Sequence, residues 1–245
     1  MQATELLQYA AQKNIGCVQF GDNLPLHLLS DGELEQLRET SIALGIKIEV
    51  GTRRLTEENI WLYLSIAKRL SSSFLRVVID DAGYHPDEKA VVAELENLLP
   101  HSQKANIILA IENHDRFSSK TLERIIKNTS ESLVAICLDT ANSLGAGEGF
   151  NEVLNVLAPY TINLHIKDIT IKRLSHKMGF FVAGCAAGQG LLNIPEIIGV
   201  LKQYQRCQTA TLEVWSQPEE TIEKTVEKEK QWVEYSIDYL KNLLP

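Results

Sequence analysis

The chain has 245 residues, 44% of them hydrophobic, and its 24 Lys and Arg against 32 Asp and Glu leave a net charge of -8. Such an acidic chain is a poor match to polyanions, which argues against nucleic acid as a partner. No apolar run approaches the roughly 20 residues of a membrane-spanning helix, and no signal peptide precedes the first helical pattern. The four cysteines, Cys17, Cys137, Cys185 and Cys207, have no paired spacing and read as reduced thiols in a cytoplasmic protein.

In chain order, helical and strand-like patterns alternate. A helix over residues 3–13 opens the chain and a strand follows at 15–20. Ser30-Asp-Gly-Glu33 has the shape of a capping box and starts a helix that ends near Gly45. Ile46–Val50 reads as a strand stopped by Gly51, residues 56–70 as a helix, and Phe74–Ile79 as a strand ending on Asp80-Asp81. The next helix spans 86–99, with Pro100 as its stop signal. Three short apolar runs then each climb to a polar cluster. Ile107–Ile111 leads to Glu112-Asn113-His114, Leu133–Leu138 to Asp139-Thr140-Ala141-Asn142, and Ile162–Leu164 to His165-Ile166-Lys167-Asp168. A fourth, Thr209–Leu212, leads to Glu213-Val214-Trp215. Helices are expected at 118–129, 151–158, 194–204 and 218–243, the last with Ile222, Val226, Val233, Ile237, Leu240 and Leu244 on one face.

Strand followed by helix, repeated with no linker, describes a single α/β domain over residues 1–245 with parallel strands. In a (β/α)8 TIM barrel, ligands and chemistry sit at the C-terminal strand ends. The pattern supplies seven strands and begins on a helix, so the expectation is a barrel lacking its first strand. Open edges would then lie at 15–20 and 209–214, and a homodimer would cover them. Residues 169–191 are too long for a plain connection. Gly179, Gly184, Gly188, Gly190 and the apolar Phe180-Phe181 suggest a lid.

Glu112, Asp139, His165 and Glu213 at four strand ends form a set that a hard divalent cation accepts, with carboxylate oxygens and one imidazole nitrogen. Lys167 alternates with His165 and points the same way, toward the pocket, while Asp168 points away and is structural. Trp215 shares the face of Glu213 and could floor a sugar ring. The competing bland roles are core packing for Trp215, hydrogen bonding between strand ends for His114, and capping of the next turn for Asn142.

Taken together, Glu-Asn-His, Asp-Thr-Ala-Asn, His-Ile-Lys-Asp, the Gly188-Gln189-Gly190 loop and Leu-Glu-Val-Trp resemble the xylose isomerase-like TIM-barrel superfamily. The resemblance covers the chain from its first helix onward. It implies one divalent ion (Mn, Mg, Co or Zn) on Glu112, Asp139, His165 and Glu213, and a small carbohydrate substrate. In ketose 3-epimerases of that group the two glutamates, here Glu112 and Glu213, also exchange the substrate proton. The implied activity is isomerisation or epimerisation of a keto sugar through an enediolate. His114, Asn142, Lys167, Arg173, His176, Gln189 and Trp215 are then candidate substrate contacts. Asn23-Leu-Pro-Leu, Glu112–Arg116 and the segment from Lys172 to Phe180 resemble a narrower subgroup that decarboxylates a 3-oxo sugar acid, and Lys167, Arg173 or His176 would serve its carboxylate. A non-catalytic barrel that binds a sugar or partner is the third reading. The nucleic-acid branch of the superfamily, the type IV endonucleases, carries Asp-x-x-His where this chain has Asp139-Thr-Ala-Asn142.

Overall fold

The computed structural model describes residues 2–244 and separates into two compact units, one up to Cys137 and one from Leu138 onward. The first unit is built from β1 (Cys17–Phe20), β2 (Lys47–Arg53), β3 (Phe74–Val78), β4 (Ile108–Glu112) and most of β5 (Val134–Asp139). These strands pair in sequence order, each parallel to the next. Helices α1 (Ala3–Gln12), α2 (Asp31–Leu44), α3 (Glu57–Arg69), α4 (Glu88–Ala105) and α5 (Ser119–Lys127) alternate with them. All residues of β3 and β5 are buried, as expected of parallel strands covered on both faces. The capping box read at Ser30 and Glu33 is formed, with the Ser30 backbone N–H donating to Glu33 Oε2 at 2.8 Å.

Two local expectations fail here for physical reasons. Gly51 does not stop β2, which continues through it to Arg53. Gly51 sits in register with Arg76 on β3, and a Cβ at position 51 would lie only 3.1 Å from Arg76 Cδ. The glycine therefore marks a close approach inside the strand and makes room for the arginine stem. Pro100 likewise does not end α4, which runs on to Ala105 and closes at Asn106 in the left-handed conformation (φ 57°). Pro100 and Glu96, whose carbonyl loses its helical donor, both face solvent, where water can satisfy that oxygen.

The second unit holds α6 (Phe150–Leu157), β6 (Thr161–Ile166), β7 (Asp168–Arg173), β8 (Phe180–Cys185), α7 (Ile194–Tyr204), β9 (Thr209–Leu212) and α8 (Ile222–Lys241). All seven runs expected to be strands are strands, as β1–β6 and β9. The stretch expected to be a lid loop instead contains an antiparallel hairpin, β7 with β8, in register from Asp168↔Cys185 to Arg173↔Phe180. Its first strand alternates (Ile169 and Ile171 against Thr170 and Lys172), which is a strand period. The predicted apolar face of α8 is buried only toward its C-terminus. Ile237 and Leu240 are 9% and 8% exposed, whereas Ile222 and Val226 are 70% and 55% exposed. Among the described residues no helix is long and apolar enough to cross a membrane.

Candidate metal centre

In the second unit the site is assembled on β6 and β9. These strands pair in parallel with His165 opposite Thr211 and Ile166 opposite Leu212. Buried Asn163 sets the register, its Nδ2 donating to Thr209 Oγ1 at 2.8 Å. A slip of one residue would break this bond and turn His165 to the opposite face. Glu213 follows β9 directly and donates its N–H to the Ile166 carbonyl at 3.1 Å, so its carboxylate arrives beside His165. His165 Nδ1 lies 2.9 Å from Glu213 Oε1.

Asp139 is brought in by a hydroxyl clamp. The Thr140 N–H donates to the His165 carbonyl at 3.2 Å. Thr140 Oγ1 donates to the Lys167 carbonyl at 2.9 Å and accepts from the Lys167 N–H at 2.8 Å. One Asp139 oxygen, Oδ1, accepts from the backbone N–H groups of Ala141 and Asn142, both at 2.8 Å. This Asx-type turn fixes the carboxylate plane. The other oxygen, Oδ2, lies 2.8 Å from Lys167 Nζ. The same ammonium lies 2.7 Å from Glu213 Oε2 and donates to Asn142 Oδ1 at 3.4 Å. Asp139, His165 and Glu213 each offer a ligand atom within 4.8 Å of the other two.

The donor set fits a divalent cation: two carboxylates and one imidazole, with Asp139 and His165 buried, already collect positive charge between them. Burial alone would raise the Glu213 carboxyl. The contact with His165 and the charges of His165 and Lys167 outweigh it and hold the group well below the usual carboxylate range.

The other expected residues are spread over both units. Glu112 ends β4 in the first unit, 2% exposed, and Arg76 Nε on β3 donates to its Oε2 at 2.5 Å. Arg76 Nη1 is also 3.9 Å from Asp22 Oδ1. Sequence reasoning passed over Arg76, although a lone charge inside the apolar run Phe74–Ile79 was a visible signal. His114, also in the first unit, has Nδ1 2.5 Å from Asp115 Oδ1. Arg116 is engaged by Asp80 through Nε at 2.8 Å and Nη2 at 2.5 Å.

In the second unit Asn142 joins the cluster through Lys167, but Arg173 and His176 are exposed and make contacts within the hairpin's own turn. Arg173 lies over the Phe180 ring at 4.4 Å and donates to the Lys177 carbonyl, and His176 Nδ1 accepts from the Met178 N–H. Gln189 is exposed in a turn built around Asp168. The Asp168 carboxylate is 2% exposed and accepts from the N–H groups of Gly188 and Gly190, both at 2.9 Å, and of Leu192 at 3.2 Å. A Cβ on Gly190 would come within 2.1 Å of that carboxylate, which is why glycine stands there. Trp215 is 41% exposed, and its carbonyl packs so tightly on β8 that a Cβ on Gly184 would fall 1.9 Å from it.

Against known proteins, the family described as xylose isomerase-like TIM barrel matches residues 7–243. The chain is 30% identical over 235 residues to the 3-oxo-isoapionate decarboxylase of Pectobacterium atrosepticum, covering 96% of this chain and 86% of that protein. Among solved structures, the D-psicose 3-epimerase of Clostridium cellulolyticum H10 with D-tagatose aligns with a TM-score of 0.76 at 14% identity, covering 100% of this chain and 94% of that one. A xylose isomerase-like TIM-barrel protein from Mycobacterium smegmatis, solved with magnesium, aligns with a TM-score of 0.71 at 17% identity, covering 99% and 89%.

Proposed function

Because the chain belongs to the xylose isomerase-like TIM-barrel family, whose relatives include epimerases and a decarboxylase, we propose that it is a divalent-metal-dependent enzyme that decarboxylates a small 3-oxo sugar acid. The observation that carries this reading is the 30% identity to 3-oxo-isoapionate decarboxylase along 96% of the chain. The placement of a lysine within the carboxylate cluster accords with it, since a sugar acid requires a cation for its carboxylate.

Asp139, His165 and Glu213 would hold the ion, with Glu112 as the fourth member of the expected set. A bound divalent ion supplies Lewis-acid stabilisation of the enediolate that loss of CO2 generates. The chain's own residues do the rest. Asp139 is oriented by its Asx turn before any ligand arrives. Lys167 offers an ammonium to the substrate's acid group, and Glu213, ionised at rest, would relay a proton from water to the carbon that CO2 leaves, hydroxide being the by-product. His114, Asn142, Gln189 and Trp215 remain the proposed substrate contacts, with Arg173 and His176 on the hairpin as further cationic or proton-donating groups. The single domain, homodimer and cytoplasmic location expected from the sequence belong to the same proposal.

The second reading, epimerisation of a keto sugar, is favoured by glutamates at the ends of β4 and β9, which offer two carboxylates as bases. The two readings separate by product. Purified protein loaded with Mn2+ should release CO2 from a branched 3-oxo sugar acid, and a Glu213→Gln variant should lose that release by 100-fold or more, by the usual scale of proton-transfer residues (about 10²–10⁴-fold). Epimerised ketose without CO2 would overturn the decarboxylase reading in favour of the epimerase. Metal uptake without either product would leave the chain as a sugar-binding barrel.

A further inference from the structure

We infer that the Lys167 ammonium is a built-in occupant of the cation position between Asp139 and Glu213, and that a divalent ion must displace it to bind. This inference rests on the metal centre proposed above and adds an internal competitor to it.

Asp139 Oδ1 is taken by two backbone N–H groups, and Glu213 Oε1 faces His165 Nδ1 at 2.9 Å. The oxygens that remain are Asp139 Oδ2 and Glu213 Oε2, and Lys167 Nζ sits on both, at 2.8 Å and 2.7 Å. An ion ligated by Asp139 needs the oxygen that the ammonium holds, and two cations in so small a space repel each other. The ammonium solves a real problem for the metal-free chain. Asp139 is 0% exposed and Glu213 28% exposed at the side chain, and two such anions side by side are costly without a counter-charge.

Lysine suits a replaceable counter-charge. Its charge is a point on a flexible four-carbon stem, without the planar fork that ties arginine to a carboxylate. The Lys167 backbone is fixed at both its N–H and its carbonyl by Thr140 Oγ1, so the stem can swing while the chain stays in place. Position 167 also falls between β6 and β7 and outside both strands. Once released, the ammonium is the cation available to the acid group of a substrate. Recognition of an acid then depends on the ion having bound first.

The test uses the full chain and Mn2+ alone, with affinity measured by titration calorimetry and melting followed with and without the ion. Lys167→Met removes the competitor and should bind Mn2+ at least 10-fold more tightly than wild type. Without metal it should melt below wild type, and it should gain more from Mn2+. Lys167→Arg keeps the charge in a form that grips the carboxylates harder, and should bind Mn2+ at least 10-fold more weakly. The arginine variant decides the matter even if the methionine variant does not fold. Equal affinities in wild type and variants, or weaker binding in Lys167→Met, would overturn the displacement while leaving the metal centre intact. Mn2+ binding that is absent, or that survives Glu213→Ala, would overturn the metal centre itself.

Discussion

Glu112 in the first unit and Glu213 in the second both follow apolar strand residues, and both are held by a cation that the fold itself supplies. Glu112 is met by Arg76 from the adjacent strand, a guanidinium whose stem is bedded against Gly51. Glu213 is met by Lys167, which it shares with Asp139 and Asn142. The first arrangement is rigid: Arg76 cannot deprotonate, and its donors are fixed in a plane. The second is a loose charge among several acceptors. A carboxylate tied to arginine is suited to holding a geometry, and one tied to lysine to exchanging its partner.

The strongest way to break this contrast is Arg76→Leu. It leaves Glu112 buried without its counter-charge and should cost about 3–5 kcal/mol, read from urea denaturation. A loss under about 1 kcal/mol would show that the pair is not a structural anchor. Lys167→Met should cost the metal-free chain less, about 1–3 kcal/mol, because Glu213 is partly exposed and part of the interaction is screened by solvent. Saturating Mn2+ should restore most of that loss in a thermal melt. Arg76→Lys sharpens the comparison further. It keeps the charge but loses the fork, and a cost of about 1–2 kcal/mol is expected in the same denaturation experiment.

Acid titration of stability probes the second site when wild type is compared with a Glu213 variant, because other carboxyls such as Glu88 and Asp115 are depressed as well. The Glu213 carboxyl is depressed in the folded chain, so the stability it contributes is present above its unfolded value of about 4.3 and is lost as pH falls below that. Glu213→Gln should therefore show a shallower loss of stability than wild type when melts are compared from pH 5 downward. The smallest effect concerns Cys185, whose thiol is pushed up to about 11 by burial and by the nearby Asp168 charge. At pH 8 about one molecule in a thousand carries the thiolate, so alkylation should run on the order of 100-fold slower than for a free cysteine.

The sequence was most readable where one local signal suffices. Seven apolar runs of strand length, each followed by a helical period, appear as β1–β6 and β9. It was least readable where a residue's meaning depends on a neighbour far along the chain. Gly51 looks like a stop until Arg76 is seen opposite it, and Pro100 looks like a terminator until both it and Glu96 are found facing water. The β7–β8 hairpin carried a two-residue period, but the four glycines in residues 169–191 masked it. At the candidate site, Asp139, His165 and Glu213 could be picked out by residue type alone. The Thr140 clamp, the Asn163 register lock and the Arg76–Glu112 pair depend on strand register, which composition does not encode.

The Asp168 carboxylate, which gathers the N–H groups of Gly188, Gly190 and Leu192, closes the chain on itself at the base of the hairpin. The intervening segment is thus a loop whose ends are already joined, and its closure entropy grows only with the logarithm of its length, by about 0.6 kcal/mol per doubling. Residues 174–179, at the exposed turn between β7 and β8, are where insertions cost the fold least. Lengthening this turn changes what the hairpin carries at its tip without disturbing the Gly188-Gln189-Gly190 turn at its foot. The same domain can in this way present differently sized covers on one unaltered base.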